Sequence, residues 1–327
     1  MDANVAIVIV NWNGGGHLRT CLQALAAQSW PHFIAVVVDN ASADGSQSAV
    51  EALGDARFKL LQLDSNTGFA RGSNLGVQAC GGCEFIALLN PDAIPQHDWL
   101  AALLSAADSF AAAAAFGSHL IDAADHTLSD GTGDAYHPSG RAWRRDHGVP
   151  VDLSAAEPSE IFSPCAAAAL YRRTAWDDAG GLDEDFFCYL EDVDLGFRLR
   201  LRGSRAMHVP QSLCYHAASS LTGRRSDFST YHGQRNMVWT FVKNMPSALF
   251  WIFLPLHILL NLFAPLAFMA RGQAGLVLRA KRDALAAWPA VWRKRRAVQA
   301  RRMATVASIW AAMDKRLWPA PSMPPSP

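Results

Sequence analysis

The chain has 327 residues, 50% of them hydrophobic and 18% charged, and its acidic and basic side chains balance. That composition excludes low-complexity disorder over most of the length and suffices for one large core, or a core with an appendage. The charge is uneven: residues 271–302 hold ten Lys/Arg against Asp283 alone, so the remainder is acidic, which argues against a nucleic-acid-binding protein.

The N-terminus passes from Met1-Asp2-Ala3-Asn4 into an apolar run without a basic leader, so no signal peptide and a cytoplasmic catalytic part are expected. Apolar, β-branched runs predict buried strands over 5–10, 33–38, 58–63 and 85–89. Helical spacing predicts helices between them over 18–27, 47–53 and 70–79. Such alternation implies βαβ units: an α/β, Rossmann-like fold with a mainly parallel sheet and helices on both faces. Polar residues gather at the carboxyl ends of these strands, where open α/β sheets bind ligands. A helix over 99–107 and a strand over 111–116 follow. Residues 122–160, rich in Gly, Pro, Asp and His, predict long loops or a hairpin over the site. Order returns with 166–171, helices over 173–179 and 194–202, and short strands over 206–209 and 213–215.

Residues 248–270 contain no Asp, Glu, Lys or Arg, yet Pro255, Pro265, His257 and Asn261 interrupt them. A bilayer-spanning helix and a re-entrant or interfacial hairpin both fit. Leu276, Leu278, Leu285, Trp288 and Trp292 then lie among basic residues, predicting a helix in the headgroup layer; a solvated helix packed on the main domain is the alternative. The division expected is a catalytic domain over 1–245, a membrane-associating helical segment over 246–310 and a flexible tail over 311–327. Of the six cysteines, Cys80 and Cys83 have CxxC spacing without a second pair, which favours reduced thiols over a zinc site.

Four stretches carry chemistry. Asp39 and Asn40 end a buried strand, where a carboxylate can take a base or ribose hydroxyl; helix capping explains Asp44 and Ser46 equally well. Asn66-Thr67-Gly68-Phe69-Ala70-Arg71-Gly72-Ser73-Asn74 combines glycines, a cation and amides before a helix, which suits a diphosphate, or else a capping loop with Arg71 in a surface ion pair. Asn90-Pro91-Asp92 places one carboxylate at a strand end, enough for Mg²⁺ or Mn²⁺ when phosphate and water complete the shell, with His216 as candidate second ligand. Glu191, Asp192 and Asp194 cluster behind Phe186, Phe187 and Tyr189; helix-dipole pairing explains Asp194 better than the whole cluster. A carboxylate among aromatics can serve as a general base.

Together, 5–13, 38–46, 66–76, 88–92, 180–187, 189–198 and 209–216 resemble family-two glycosyltransferases of the GT-A fold, most closely the rhamnosyltransferase-like branch. Residues 128–134 and 139–145 fit that branch as well. The resemblance covers roughly residues 3–245. It implies that Asp39 contacts the nucleotide base and Arg71 the nucleotide or phosphates, with Asn40, Asn74 and Asn90 in the donor-binding set. It makes Asp92 the metal-binding acid, Asp192 the catalytic base and Glu191 its supporting neighbour. The family's DxD motif is here Asn90-Pro91-Asp92, and Cys165 or Ala166 stands where the family often has glycine. Implied partners are a nucleotide-diphosphate sugar, with rhamnose the suggested sugar, a glycan or lipid-linked acceptor, and a membrane surface. Two rivals are a dinucleotide oxidoreductase, disfavoured because Gly14-Gly15-Gly16 lacks GxGxxG, and a non-catalytic membrane-bound binding protein on a transferase fold.

Overall fold

The computed structural model describes residues 4–153, 157–217 and 226–316. Strand β1 (Val5–Asn11) turns Val5, Ile7 and Ile9 to one face of a sheet and Val8 and Val10 to the other, and both sets are buried. β2 (Phe33–Asp39) repeats this two-residue alternation. β3 (Phe58–Gln62) is a half-buried edge, and β4 (Phe85–Leu89) is wholly buried. These four pair in parallel in the order β4-β1-β2-β3, alternating in sequence with α1 (Gly15–Ala26), α2 (Ser48–Leu53) and α3 (Gly68–Ala79). Right-handed βαβ crossovers require such a layering, with helices covering both faces.

The sheet continues past β4 with mixed polarity. β5 (Ala93–Pro95), α4 (Trp99–Ser109) and β6 (Ala113–Asp122) come next, then the short strands β7 (Ser129–Gly131), β8 (Asp134–Tyr136), β9 (Ala142–Arg144) and β10 (Ser159–Ile161). β11 (Ala168–Arg172) inserts antiparallel between β4 and β6, and β12 (Arg205–His216) runs parallel to β6. The segment expected as loops or a hairpin thus carries β8 and β9 as a separate two-stranded hairpin. Between β11 and β12 lie α5 (Arg173–Ala179) and α6 (Glu191–Leu201). Leu18, Leu22, Trp99 and Leu103 of α1 and α4 form the core on one face; Val77, Trp176 and Leu195 of α3, α5 and α6 form it on the other. α3 carries Gly72 and Gly76 toward the sheet, where a methyl group on Gly76 would sit 2.4 Å from Val8 Cγ1.

Two readings of the sequence change at α6 and β12, and one left open is decided at the apolar helix. α6 begins at Glu191, not Asp194, because Leu190 takes a left-handed φ of 66° and the three acids then fill the helix's first turn. The two strands expected over 206–215 are one, β12, whose register shift between Val209 and Leu213 absorbs Pro210. Neither Pro255 nor Pro265 ends the apolar helix.

That helix, α8 (Ser247–Ala267), follows α7 (Asp227–Asn244) and precedes α9 (Ala274–Ala286), α10 (Trp288–Ala300) and α11 (Val306–Ala312). A third core cluster joins Phe162, Phe186 and Phe197 to Phe241, Phe250, Ala284, Val291 and Ile309, so packing is continuous across residue 245. The basic segment is divided by this packing. Arg295 is buried and donates to the carbonyls of Val242 and Met245 at 2.7 and 2.6 Å, satisfying the end of α7, and Lys294 pairs with Asp183 and Asp185. Arg279 and Arg282 stay largely exposed. α11 passes position 310, and Asp314 N donates to Tyr136 O at 2.9 Å; residues 317–327 of the expected tail lie outside the described residues.

Candidate active site

The carboxyl ends of β1, β2 and β4 open into a cleft of about 610 Å³. Asn11 and Asp39 are register partners, and Asn11 Nδ2 donates to Asp39 Oδ1 at 2.9 Å and to Ser46 Oγ at 2.9 Å. Asp39 is therefore buried and held, with Asn40 beside it lining the cleft. Asn40 Nδ2 donates to Gly68 O at 3.1 Å while its Oδ1 accepts from Thr67 N at 2.8 Å, locking the 66–68 loop to the strand end. Gly68, at φ 84°, lets that loop approach closely: a Cβ there would lie 2.5 Å from Phe187 O. Three members of the expected donor set, Asp39, Asn74 and Arg71, stand apart from the cleft lining. Asn74 uses its amide to accept from Leu182 N at 3.0 Å and to donate to Leu182 O and Glu184, tying α3 to the chain before α6. Arg71 is exposed and lies 3.9 Å from Glu184, as in the surface-pair alternative.

Asn90, Asp92 and His216 converge in the cleft because β5 pairs antiparallel with the end of β12, bringing His216 opposite Ala93. His216 Nε2 stands 3.5 Å from both Asp92 Oδ1 and Asn90 Nδ2, and its Nδ1 bonds Asp130 Oδ2 at 2.8 Å. Burial opposes its charge, but Asp130 and Asp92 outweigh burial and raise the imidazole above its ordinary range. A carboxylate and an imidazole at this separation can both reach one cation through bonds of about 2.0–2.2 Å, and an O/N donor pair suits Mg²⁺ or Mn²⁺ completed by phosphate and water.

Across the cleft, the turn into α6 presents Glu191 and Asp192. Asp192 Oδ2 accepts from Ala166 N at 3.1 Å and Oδ1 from Val193 N at 2.8 Å, while Ser163 Oγ donates to its carbonyl at 2.8 Å. Burial raises Asp192 above the ordinary carboxylate range, and the two amides and Arg144 limit the rise. Burial and the adjacent Asp192 push Glu191 well above its usual range, and its Oε2 has no hydrogen-bond partner among the described residues. Asp194 points away from the cleft lining: fully buried, it accepts from Arg198 Nε at 2.9 Å, Lys243 Nζ at 2.7 Å and Asn244 Nδ2 at 2.7 Å, joining α6 to α7. Cys80 and Cys83 are free thiols, and burial pushes Cys80 up to about 12.

Sequence reasoning missed four residues that shape this site. Asp134 and Arg144, one on each strand of the hairpin, line the cleft beside Asp192. Burial and Asp192 raise Asp134, and donor atoms of Asp134, Cys165 and Asp192 lie within 4.8 Å of one another. Arg144 Nη2 reaches Cys165 Sγ at 2.9 Å, so a guanidinium already supplies positive charge to that cluster, and Asp92 with His216 is the better cation site. Asp130 anchors both Arg144 and His216 from behind. Asn236 is the fourth: its Nδ2 lies 3.0, 2.9 and 2.8 Å from the carbonyls of Phe186, Cys188 and Tyr189, holding a loop in which Phe187, Tyr189 and Leu190 all have positive φ. The only sequence signal for the hairpin residues was the stretch around 128–145.

The parallel half-sheet, the site at its carboxyl ends and the antiparallel strand beside β4 define a GT-A glycosyltransferase fold. The family model for glycosyl transferase family 2 matches residues 6–178, and the chain belongs to that family. It is 29% identical over 239 residues to N-acetylglucosaminyl-diphospho-decaprenol L-rhamnosyltransferase of Mycobacterium tuberculosis (strain H37Rv), an alignment covering 67% of this chain and 77% of the relative. It is 30% identical to O-antigen biosynthesis protein RfbC of Myxococcus xanthus, covering 64% of this chain and 17% of that one. Among solved structures, the mannosyltransferase from Pyrobaculum calidifontis in complex with GDP-Man and Mn²⁺ superposes with a TM-score of 0.54 at 20% identity, covering 94% of this chain and 85% of that one. GalNAc-T7 with UDP, GalNAc and Mn²⁺ gives 0.61 at 14% identity, over 74% of this chain and 48% of that one. The chain is thus a glycosyltransferase with relatives in cell-envelope polysaccharide biosynthesis.

Proposed function

We propose that the protein is an inverting transferase moving a sugar, rhamnose by likeness to the mycobacterial relative, from a nucleotide diphosphate to a hydroxyl of a lipid-linked glycan at the cytoplasmic face of a membrane. The observation that carries this reading is the pairing of an amide-held, half-buried carboxylate, Asp192, with a cation-competent pair, Asp92 and His216, lining the same cleft.

Asp192 takes the proton of the acceptor hydroxyl as that oxygen bonds to the anomeric carbon and the bond to the diphosphate oxygen breaks on the opposite side, inverting the centre. Its raised proton affinity suits a base working near neutral pH. Arg144 and the amides of Ala166 and Val193 keep the carboxylate oriented and ionisable. Asp92 and His216 would hold Mg²⁺ or Mn²⁺, which when bound supplies positive charge to the departing diphosphate. The strand end at Asp39 and Asn40 would take the nucleotide, and closing both substrates into one cleft supplies proximity. A lipid-linked acceptor agrees with α8, on which Trp251, Ile252, Leu262 and Phe263 are more than 60% exposed.

The test is a panel of nucleoside-diphosphate sugars, deoxythymidine diphosphate rhamnose included, with MgCl₂, MnCl₂ or chelator. Transfer or slow hydrolysis of one donor, cation-dependent and with inverted anomeric configuration, is expected. A retained configuration, or no donor consumed, would contradict the reading.

A further inference from the structure

Asp130 lies on β7, fully buried, and does not line the cleft, whereas both side chains it grips do. Its Oδ2 accepts from His216 Nδ1 at 2.8 Å and from Arg144 Nη1 at 2.5 Å, and its Oδ1 lies 3.4 Å from His147 Nδ1. One carboxylate thereby connects the two working halves of the site: His216 facing Asp92, and Arg144 beside Asp192 and Cys165.

We propose that Asp130 is the positioning residue that makes His216 a cation ligand and keeps it in register with the base side of the cleft. The reasoning is one of tautomers and aim. An imidazole has two ring nitrogens, and the partner of one decides what the other offers. With Nδ1–H committed to a buried carboxylate, Nε2 is the nitrogen left to face Asp92, and the ring cannot rotate without breaking a charge-assisted bond. Asp130 keeps its place because β7 is tied to β6: Ser129 and Gly131, its neighbours on either side, are register partners of Ile121 and Leu120. The shared Oδ2 also means that a shift of His216 is felt at Arg144, so cation side and base side are not independent. This inference rests on the cation reading of Asp92 and His216.

The experiment titrates MnCl₂ into the full-length protein and follows free Mn²⁺ by electron paramagnetic resonance, without donor or acceptor. Asp130→Asn is expected to weaken Mn²⁺ binding by roughly 10–100-fold, as loss of an outer-sphere partner does, with His216→Ala and Asp92→Asn also weakened. Unchanged affinity in Asp130→Asn alongside weakened His216→Ala and Asp92→Asn would overturn the inference and leave the cation reading intact. No binding by the unaltered protein, or binding indifferent to Asp92 and His216, would remove the cation reading and the inference with it. Because Asp130→Asn leaves the half-buried Arg144 guanidinium without its carboxylate and can impair folding, a second measurement uses the unaltered chain. In MgCl₂, the nitrogen-15 spectrum of His216, assigned with His216→Gln, should place its proton on Nδ1; a proton on Nε2 would overturn the inference.

Discussion

Arg144 stands beside carboxylates whose duties differ. Asp130 is its structural partner, held well below the ordinary carboxylate range because Arg144, His147 and His216 outweigh the cost of burial. Asp192, as the proposed base, has to gain a proton during turnover, and burial raises it while Arg144 restrains the rise. Removing the cation with Arg144→Met leaves burial less opposed, so the proton affinity of Asp192 increases. Since the base acts ionised and is ionised only above its pKa, the acidic limb of the kcat/KM profile should move to higher pH, with activity regained as pH rises. An unmoved limb would mean that Arg144 does not face the working base. The sequence made Asp192 and Glu191 visible through their aromatic setting. Asp130, Asp134 and Arg144 were hidden because their roles arise from a hairpin that only tertiary packing brings over the cleft.

At the scale of elements, α8 raises a question its composition left open. Leu249, Phe250, His257 and Ala264 are buried along one stripe, the last three spaced by seven residues, which is two helical turns. His257 Nδ1 bonds Ser139 O at 2.7 Å and its ring stacks on Phe241, so the helix is fastened to the turn of the β8–β9 hairpin. A helix fastened to the catalytic fold along one stripe lies beside that fold, and its remaining face, with Trp251, Leu259, Leu262 and Leu266, is exposed. On α9, Leu278, Arg282 and Leu285 fall on one exposed face, mixing cation and apolar side chains as headgroup-layer helices do. We therefore expect α8 to lie in the membrane plane. Binding to vesicles containing anionic lipid should fall at least tenfold in a Leu259→Gln/Leu262→Gln/Leu266→Gln variant, since each buried Leu contributes about 1.5–3 kcal/mol. Equal binding, or a self-associating unaltered protein whose monomers no longer pair in that variant, would assign the face to a second copy instead. Pro255 and Pro265 left a single helix and a hairpin both open in the sequence; the chain forms one helix that runs through Pro255 and ends two residues past Pro265.

For the whole molecule, the continuous third core predicts one folding unit where composition suggested a catalytic domain and an appendage. Ending the chain at Met245 would strip Leu249, Phe250, Val291 and Ile309 from a cluster that also holds Phe197 and Trp239. Four such side chains contribute about 6–12 kcal/mol, comparable to the entire stability of a domain, about 5–15 kcal/mol. The full chain should unfold in urea in one transition, and the shortened chain should lack native near-ultraviolet dichroism; two separated transitions would show independent units. The alternating half of the sheet was legible because β1, β2 and β4 are short apolar runs between turn residues. β7 to β10 were not, since three-residue strands leave no period to read.

The central proposal is that Asp192 is the base that accepts the acceptor's proton. The most direct measurement compares donor binding and transfer in Asp192→Asn, which preserves side-chain size and removes the ionisable group. Nucleoside-diphosphate binding should stay within a few-fold of the unaltered protein while transfer falls by roughly 10²–10⁴. Near-normal turnover in that variant would contradict the account.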